Sequence, residues 1–214
     1  TFHKIDILVL DNYLPTIELV NVSQLIITSV LHQKIEFLET LQLYPLDYEE
    51  FLAYEHKYDS SALNHFFQLG GFPSMHKIFL DERNLYIQKI LQESLNDIEF
   101  DILTFCSKSM SQKMSAFTIY ERLKSIRKIS KDKLYKSFDS LIAKNYLHTL
   151  EKFEHPRATK KIYLCDISLK GALSTEKHFG RLFENMVYLE LLKSHVTCYY
   201  DELIEFYIPK MSEI

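Results

Sequence analysis

Four glycines in 214 residues, at positions 70, 71, 171 and 180, leave this chain few places to turn tightly. With only five prolines beside them, the composition predicts a helix-rich chain. Apolar residues make up 47% of it, and 14 Tyr and 15 Phe supply large groups for a core. The length suits one large or two small domains.

The clearest helix is Ser130–Leu147. Leu134, Phe138, Leu141 and Ile142 recur at helical spacing and form one apolar stripe. Ser130 suits the N-cap, and Asp132 stands in the first turn, where the helix dipole favours a negative charge. Asn145 can adopt the left-handed conformation that closes a helix. Lys131, Lys133, Lys136 and Lys144 fall off the stripe, giving a lysine-rich face.

The formal net charge is −4, yet it is unevenly spread. Residues 122–161 hold 12 Lys and Arg against 4 Asp and Glu, a net of +8, while the remainder carries −12. A basic island in an acidic chain either faces a polyanion or docks on the acidic rest of the same chain.

That island lies within a pattern expected of a winged helix-turn-helix. Leu85–Phe105 is a helical stretch broken near Asn96, and Ile98–Phe105 supplies the first helix. Ala116–Arg127 is the second, with Ile119, Leu123 and Ile126 on one stripe. Ile129–Lys131 is the turn and Ser130–Asn145 the third helix. Tyr146–Lys152 and Lys161–Cys165 read as two strands around EHPRATK, a wing carrying Arg157, Lys160 and Lys161. Lys131, Lys133 and Lys136 on the third helix and these three wing cations are the candidate contacts to the phosphates of duplex DNA. The third helix shows mainly Lys and Ser, so any readout is weakly sequence-specific. A protein partner is the other reading of the same face.

Upstream, Ile5–Leu10 is a short apolar run ending in Asp11, and Ser23–Val30 is a second run containing Thr28 and Ser29. Both read as buried strands. An acid just past such a strand can hold a nucleotide-bound magnesium ion, or simply cap the next turn. Lys34–Leu43 is strand-like or irregular. Pro45–Tyr54 opens a helix with Asp47, Glu49 and Glu50 in its first turns. Ser61–Leu69 is another helix, closed by Gly70 and Gly71, with Pro73 as a stop.

Downstream, Phe179, Leu182, Phe183, Met186, Leu189 and Leu192 line one face of a helix, with Glu184 and Glu190 off it. Thr197–Tyr200 and Ile204–Ile208 read as strands. Glu184 with Glu205 could hold a metal ion in nuclease fashion, or pair at the surface. His56, His65 and His76 lack metal-ligand spacing and read as surface or packing residues. Cys106, Cys165 and Cys198 are scattered, as expected of reduced thiols in a cytoplasmic protein. No apolar run approaches the ~20 residues of a membrane span, and TFHKID is not a signal peptide.

In chain order, ILVLDNY (7–13), SQLIITS (23–29), LYPLDYEEFL (43–52), FQLGGFP (67–73), the winged-helix segment, and GRLFENMVYLEL (180–191) followed by IEFYI (204–208) resemble one family. It is a widespread prokaryotic family of AAA-type, or archaeal-type, P-loop ATP-binding proteins. The resemblance implies an α+β fold. Residues 1–95 would be the later part of an ATPase core and its helical lid, and 96–168 the winged helix. Residues 169–214 would be part of a restriction-nuclease-like C-terminal domain.

The resemblance also implies ATP and magnesium as cofactors. Asp11 matches the magnesium-holding aspartate, and Thr28 or Ser29 the nucleotide sensor. Glu184 matches the C-terminal acid, and Glu205 stands where the family has Asp. Two departures follow. Asn12 occupies the position of the catalytic glutamate, and an amide cannot serve as a general base. No GxxxxGK[ST] occurs among the four glycines, so the phosphates have no cradle and the chain is expected to bind ATP poorly or not at all.

The expected function is therefore that of a portion of such an ATPase, coupling a nucleotide site to a DNA- or partner-binding winged helix. The alternative is a non-enzymatic DNA- or protein-binding relative.

Overall fold

The computed structural model describes residues 6–14, 18, 22–29, 35, 38–176 and 178–209. Its architecture is α+β, and it divides into two units, residues 1–42 and 43–214.

In the first unit, β1 (Ile7–Leu10) pairs in parallel with β2 (Gln24–Ile27), Ile7 opposite Gln24 and Leu10 opposite Ile27. Both expected strands form. Ile5 and Val30, at the ends of those runs, lie outside the described residues, as does most of 30–37. Residues 38–43 form no regular element. Ile7, Val9 and Ile26 are more than half exposed.

The second unit begins with α1 (Tyr48–Glu55), α2 (Ala62–Leu69) and a short 3-10 turn at Pro73–Lys77. At the start of α1 the Glu50 amide donates to the Asp47 carboxylate at 2.8 Å, and the Asp47 amide donates back to Glu50 at 3.1 Å. This reciprocal cap satisfies two amides that a helix start otherwise leaves open.

Next come α3 (Arg83–Ser94) and α4 (Asp97–Lys108). The break expected near Asn96 is there. Asn96 Oδ1 accepts from the amides of Ile98 and Glu99, which starts a new helix instead of extending the old one.

Then follow α5 (Ala116–Leu123) and α6 (Lys131–Ala143), and β3 (Leu147–Leu150) antiparallel to β4 (Lys161–Leu164). Residues 111–114 run along the other edge of β4, where Ser111 N donates to Ile162 O and Met114 N to Lys160 O, each at 2.8 Å. Last are α7 (Ser168–Leu173) and α8 (Phe179–Lys193).

The main core joins α3 to α7 with β3 and β4, with Ile102, Leu103, Ile119, Leu134, Leu141 and Leu164 at its centre. A second cluster gathers Phe51, Phe66, Leu69 and Ile167. A third, of Leu150, Tyr163, Tyr188 and Tyr200, fastens α8 and residues 198–206 to the β3–β4 sheet. Tyr163 and Tyr188 stack there at 4.0 Å and 8°. The expected boundaries at 95/96 and 168/169 both fall inside the second unit.

Three expectations about faces change. α5 stops at Leu123, so Ile126 leaves the stripe of Ile119 and Leu123 and is 82% exposed. On α8, Leu182, Met186, Leu189 and Leu192 of the expected face pack on the cores, joined by the buried Asn185 and Tyr188, while Phe179 and Phe183 are about half exposed, at 54% and 46%. Thr197–Tyr200 and Ile204–Ile208 meet at one bridge, Tyr199 to Tyr207, and do not form full strands.

The scarcity of glycine also leaves its mark. Among the described residues, positive φ falls on Asn12, His56, Ser111, Asn145, Glu154 and His195, and on one glycine, Gly70. Asn145, at φ 60°, closes α6 as expected. Gly70 and Gly71 are needed for close approach. A Cβ on Gly70 would meet Asp166 Oδ1 at 2.1 Å, and one on Gly71 would meet Leu46 O at 2.1 Å.

Candidate functional site

The α5–turn–α6 segment sets the lysine face. Leu134, Phe138 and Leu141 are buried, so the opposite arc of α6 must face out. Ser130 Oγ accepts from Lys133 N at 3.3 Å and fixes the start of the helix. Lys131 Nζ lies 5.3 Å from the Phe117 ring centre and 5.6 Å from that of Tyr135, a cation held between two aromatic faces. Lys133 and Lys136 are exposed, as are Asp132 and Asp139 on the same arc.

The structure divides the basic island. Six of its 12 cations meet carboxylates: Lys124, Arg127, Lys144, Lys152, Lys160 and Lys161. Arg122, Lys128, Lys131, Lys133, Lys136 and Arg157 have no carboxylate within 4.0 Å among the described residues, and all but Arg157 lie on α5–turn–α6. The docking reading thus holds for part of the island only. Arg127 and Lys144 dock on α4, through Asp97 and Asp101 and through Glu99. The exposed lysines of α6 meet no carboxylate of the described residues.

On the wing, the expected DNA contacts separate. Arg157 is exposed in the loop. Lys160 pairs with Glu151 at 2.6 Å. Lys161, expected among the phosphate contacts, is instead withdrawn from solvent. Its side chain is only 7% exposed, and its ammonium sits between Glu184 Oε1, at 2.8 Å, and Glu205.

The Tyr163 hydroxyl donates to the same Glu184 oxygen at 2.8 Å, and the Tyr200 ring centre is 5.8 Å from the ammonium. Burial, then the neighbouring Glu184 charge, pushes the Tyr163 hydroxyl far above its ordinary pKa. The two expected nuclease acids do come together, but what they hold is the Lys161 ammonium. No group of three or more metal-ligand side chains occurs among the described residues.

In the first unit, Asp11 and Thr28 stand side by side past the carboxyl ends of β1 and β2. The Thr28 hydroxyl donates to Asp11 Oδ1 and accepts from Asn12 N at 3.0 Å. Ser29 is exposed. Asp11 is a suitable oxygen ligand for a hard cation. The phosphates of a nucleotide would need a cradle of backbone amides, and Gly70 and Gly71 are committed to packing on Asp166 and Leu46. Among the described residues, Asp11 fits the magnesium end of such a site, and these two glycines do not supply its phosphate end.

Three buried polar residues escaped the sequence reading. Glu99, 2% exposed, accepts from Ser140 Oγ at 2.6 Å, Lys144 Nζ at 2.9 Å and Asn96 N at 3.0 Å, tying α4 to α6. Burial pulls its carboxyl up, but these donors outweigh that and hold it below its ordinary range. The Asn96-x-x-Glu99 capping spacing was the legible signal.

Asp166 is buried behind the glycine turn and accepts from Gly71 N at 2.7 Å and Ser168 N at 2.8 Å. Burial nonetheless raises its carboxyl above the usual range. Asn185, fully buried, accepts from Leu164 N at 2.9 Å and donates to Leu164 O at 3.0 Å, which pins α8 to β4. Nothing local marks either one. His76 is a packing residue, as expected, buried beside Tyr54 with its ring facing Glu55. The three cysteines are unpaired, and no described helix is long and apolar enough to cross a membrane.

The chain is 27% identical, over 184 residues, to the uncharacterized protein MJ1544 of Methanocaldococcus jannaschii. That similarity covers 70% of this chain and 41% of the relative, so the chain spans less than half of the curated protein it matches. No family model and no solved structure matches it.

Proposed function

We propose that α4–α6 with the β3–β4 sheet act as a winged helix-turn-helix whose α5–α6 face binds duplex DNA with little sequence preference. The chain would be a portion of an AAA-type ATP-binding protein in which that module answers to a nucleotide site. One observation carries the DNA reading: among the described residues, five basic side chains on α5–turn–α6 have no carboxylate within 4.0 Å, although the rest of the chain is rich in acids. The Asp11–Thr28 hydrogen bond at the ends of two parallel strands supports the ATPase-like part.

A non-enzymatic relative is the second reading, favoured by Asn12 at the place where a hydrolytic base is needed. An acidic protein surface is the alternative occupant of the lysine face.

Fluorescence anisotropy with a labelled duplex tests the reading. Affinity should fall with salt at a log–log slope of about 4, as expected for five phosphate contacts. Changing Lys131, Lys133 and Lys136 together to Glu should reduce that slope by about 3. If the duplex does not bind even at low salt, the face belongs to a protein partner.

A further inference from the structure

The C-terminal residues 199–207 lie against the wing. Tyr200 N donates to Glu151 O and Phe153 N donates to Tyr200 O, each at 2.9 Å, so a single parallel bridge, Tyr200 to Lys152, fastens this segment just past the end of β3. Tyr199 and Tyr207 close it into a hairpin through reciprocal backbone bonds of 2.9 and 2.6 Å. Tyr200 is buried and its hydroxyl donates to Thr159 O. The Phe153 ring packs 4.3 Å from that of Tyr207.

The charges are complementary. Residues 199–207 contain Asp201, Glu202 and Glu205 and no lysine or arginine, whereas 152–161 contain Lys152, Arg157, Lys160 and Lys161 with Glu154 as the only acid. Lys152 Nζ meets Glu202 Oε1 at 2.9 Å, and Lys161 meets Glu205.

We infer that the hairpin Tyr199–Tyr207 is an acidic strap that competes with DNA phosphate for the wing, chiefly for Lys152. This rests on the duplex-binding reading. The two ion pairs differ in a way that suits such a role. Lys161 is buried and keeps Glu184 whatever Glu205 does. The Lys152 side chain is 17% exposed and its partner Glu202 is 76% exposed. A pair at that surface is weak and screened by salt, so a phosphate can replace the carboxylate while Tyr200 keeps the strap anchored. In the strapped state the polyanion meets only α5–α6 and Arg157. In the exchanged state the wing adds a contact on the other side of the groove.

The test is duplex affinity across a salt series for the full chain. The Glu202→Gln/Glu205→Gln variant should bind about threefold more tightly at low salt, with a slope steeper by about 1, the value of one added phosphate contact. Adding Lys152→Met should reverse the gain, and Asp81→Asn, an acid removed elsewhere, should not reproduce it. Thermal melts check that each variant folds.

If the doubly substituted strap binds like the parent while Lys131→Glu/Lys133→Glu/Lys136→Glu loses binding, the strap is overturned and the DNA reading stands. A gain matched by Asp81→Asn also overturns it, since net charge alone then suffices. If neither the parent nor any variant binds, the duplex-binding reading fails and takes the strap with it.

Discussion

Lys133 and Lys161 come from the same +8 stretch and have opposite fates. Lys133 stands on the outer arc of α6 in water. Lys161, on β4, is held by Glu184 and Glu205 with its ammonium over the Tyr200 ring. The difference lies in what the fold brings to each. α6 buries its apolar stripe and offers its other side to solvent. β4 is the middle strand of a small sheet, with residues 111–114 on one side and β3 on the other, and α8 packs across it. A charge in that position must find a partner or not be there. A count of charges along a sequence therefore measures an opportunity for polyanion binding, and the fold decides which charges keep it.

The largest effect should come from removing the enclosed charge. Lys161→Met leaves Glu184 and the Tyr163 hydroxyl facing each other without a cation, and should cost about 3 kcal/mol in a urea titration. If it costs no more than Lys133→Met, the contrast between the two lysines is broken.

The next effect is pH-dependent and lies in the same packed sheet. Burial holds the His148 ring at a pKa of about 4, below its ordinary 6.5. Below pH 6.5 the unfolded chain takes up a proton that the folded chain refuses, so stability must fall as the pH drops. The slope is about 1.4 kcal/mol per pH unit, or about 2 kcal/mol between pH 6.5 and 5. His148→Gln should remove that part of the decline, and parallel curves for parent and variant would show that the wing interior tolerates charge after all.

The smallest effect belongs to the exposed face. Lys133→Met should change stability by no more than about 0.5 kcal/mol. A larger loss would mean that this lysine has a partner in the folded chain.

Much of the fold was legible because it is local. Leu134, Phe138 and Leu141 announced the buried stripe of α6, Ser130 and Asn145 its two ends, and Asn96 the start of α4. The apolar runs Ile5–Leu10 and Ser23–Val30 announced the strands at Ile7–Leu10 and Gln24–Ile27, but not their parallel pairing or the exposure of Ile7, Val9 and Ile26. Periodicity failed where the helix did not last. Ile126 matched the stripe of α5 only on the assumption that the helix ran on to Arg127. On α8 the stripe held for Leu182, Met186, Leu189 and Leu192 but not for Phe179 and Phe183, because Asn185 and Tyr188 turn the helix toward β4.

The candidate site was legible only in part. Asp11 with Thr28, and Glu184 with Glu205, are pairs that the structure does bring together. Lys161, between the two glutamates, was assigned to the wrong surface.

The sequence by itself determined the helices, their caps and the excess of basic residues in the middle of the chain. Each depends on residues a few positions apart, and helix geometry fixes what lies three or four residues away. Only the tertiary structure decided which of those basic residues are free. The partners of Lys161 are 23 and 44 positions away and that of Lys152 is 50 away, and no local pattern reports them. Burial by α8 and the C-terminal hairpin removes water from β4 and makes an ion pair obligatory there. The arc of α6 opposite its apolar stripe meets no such surface and keeps its lysines in water.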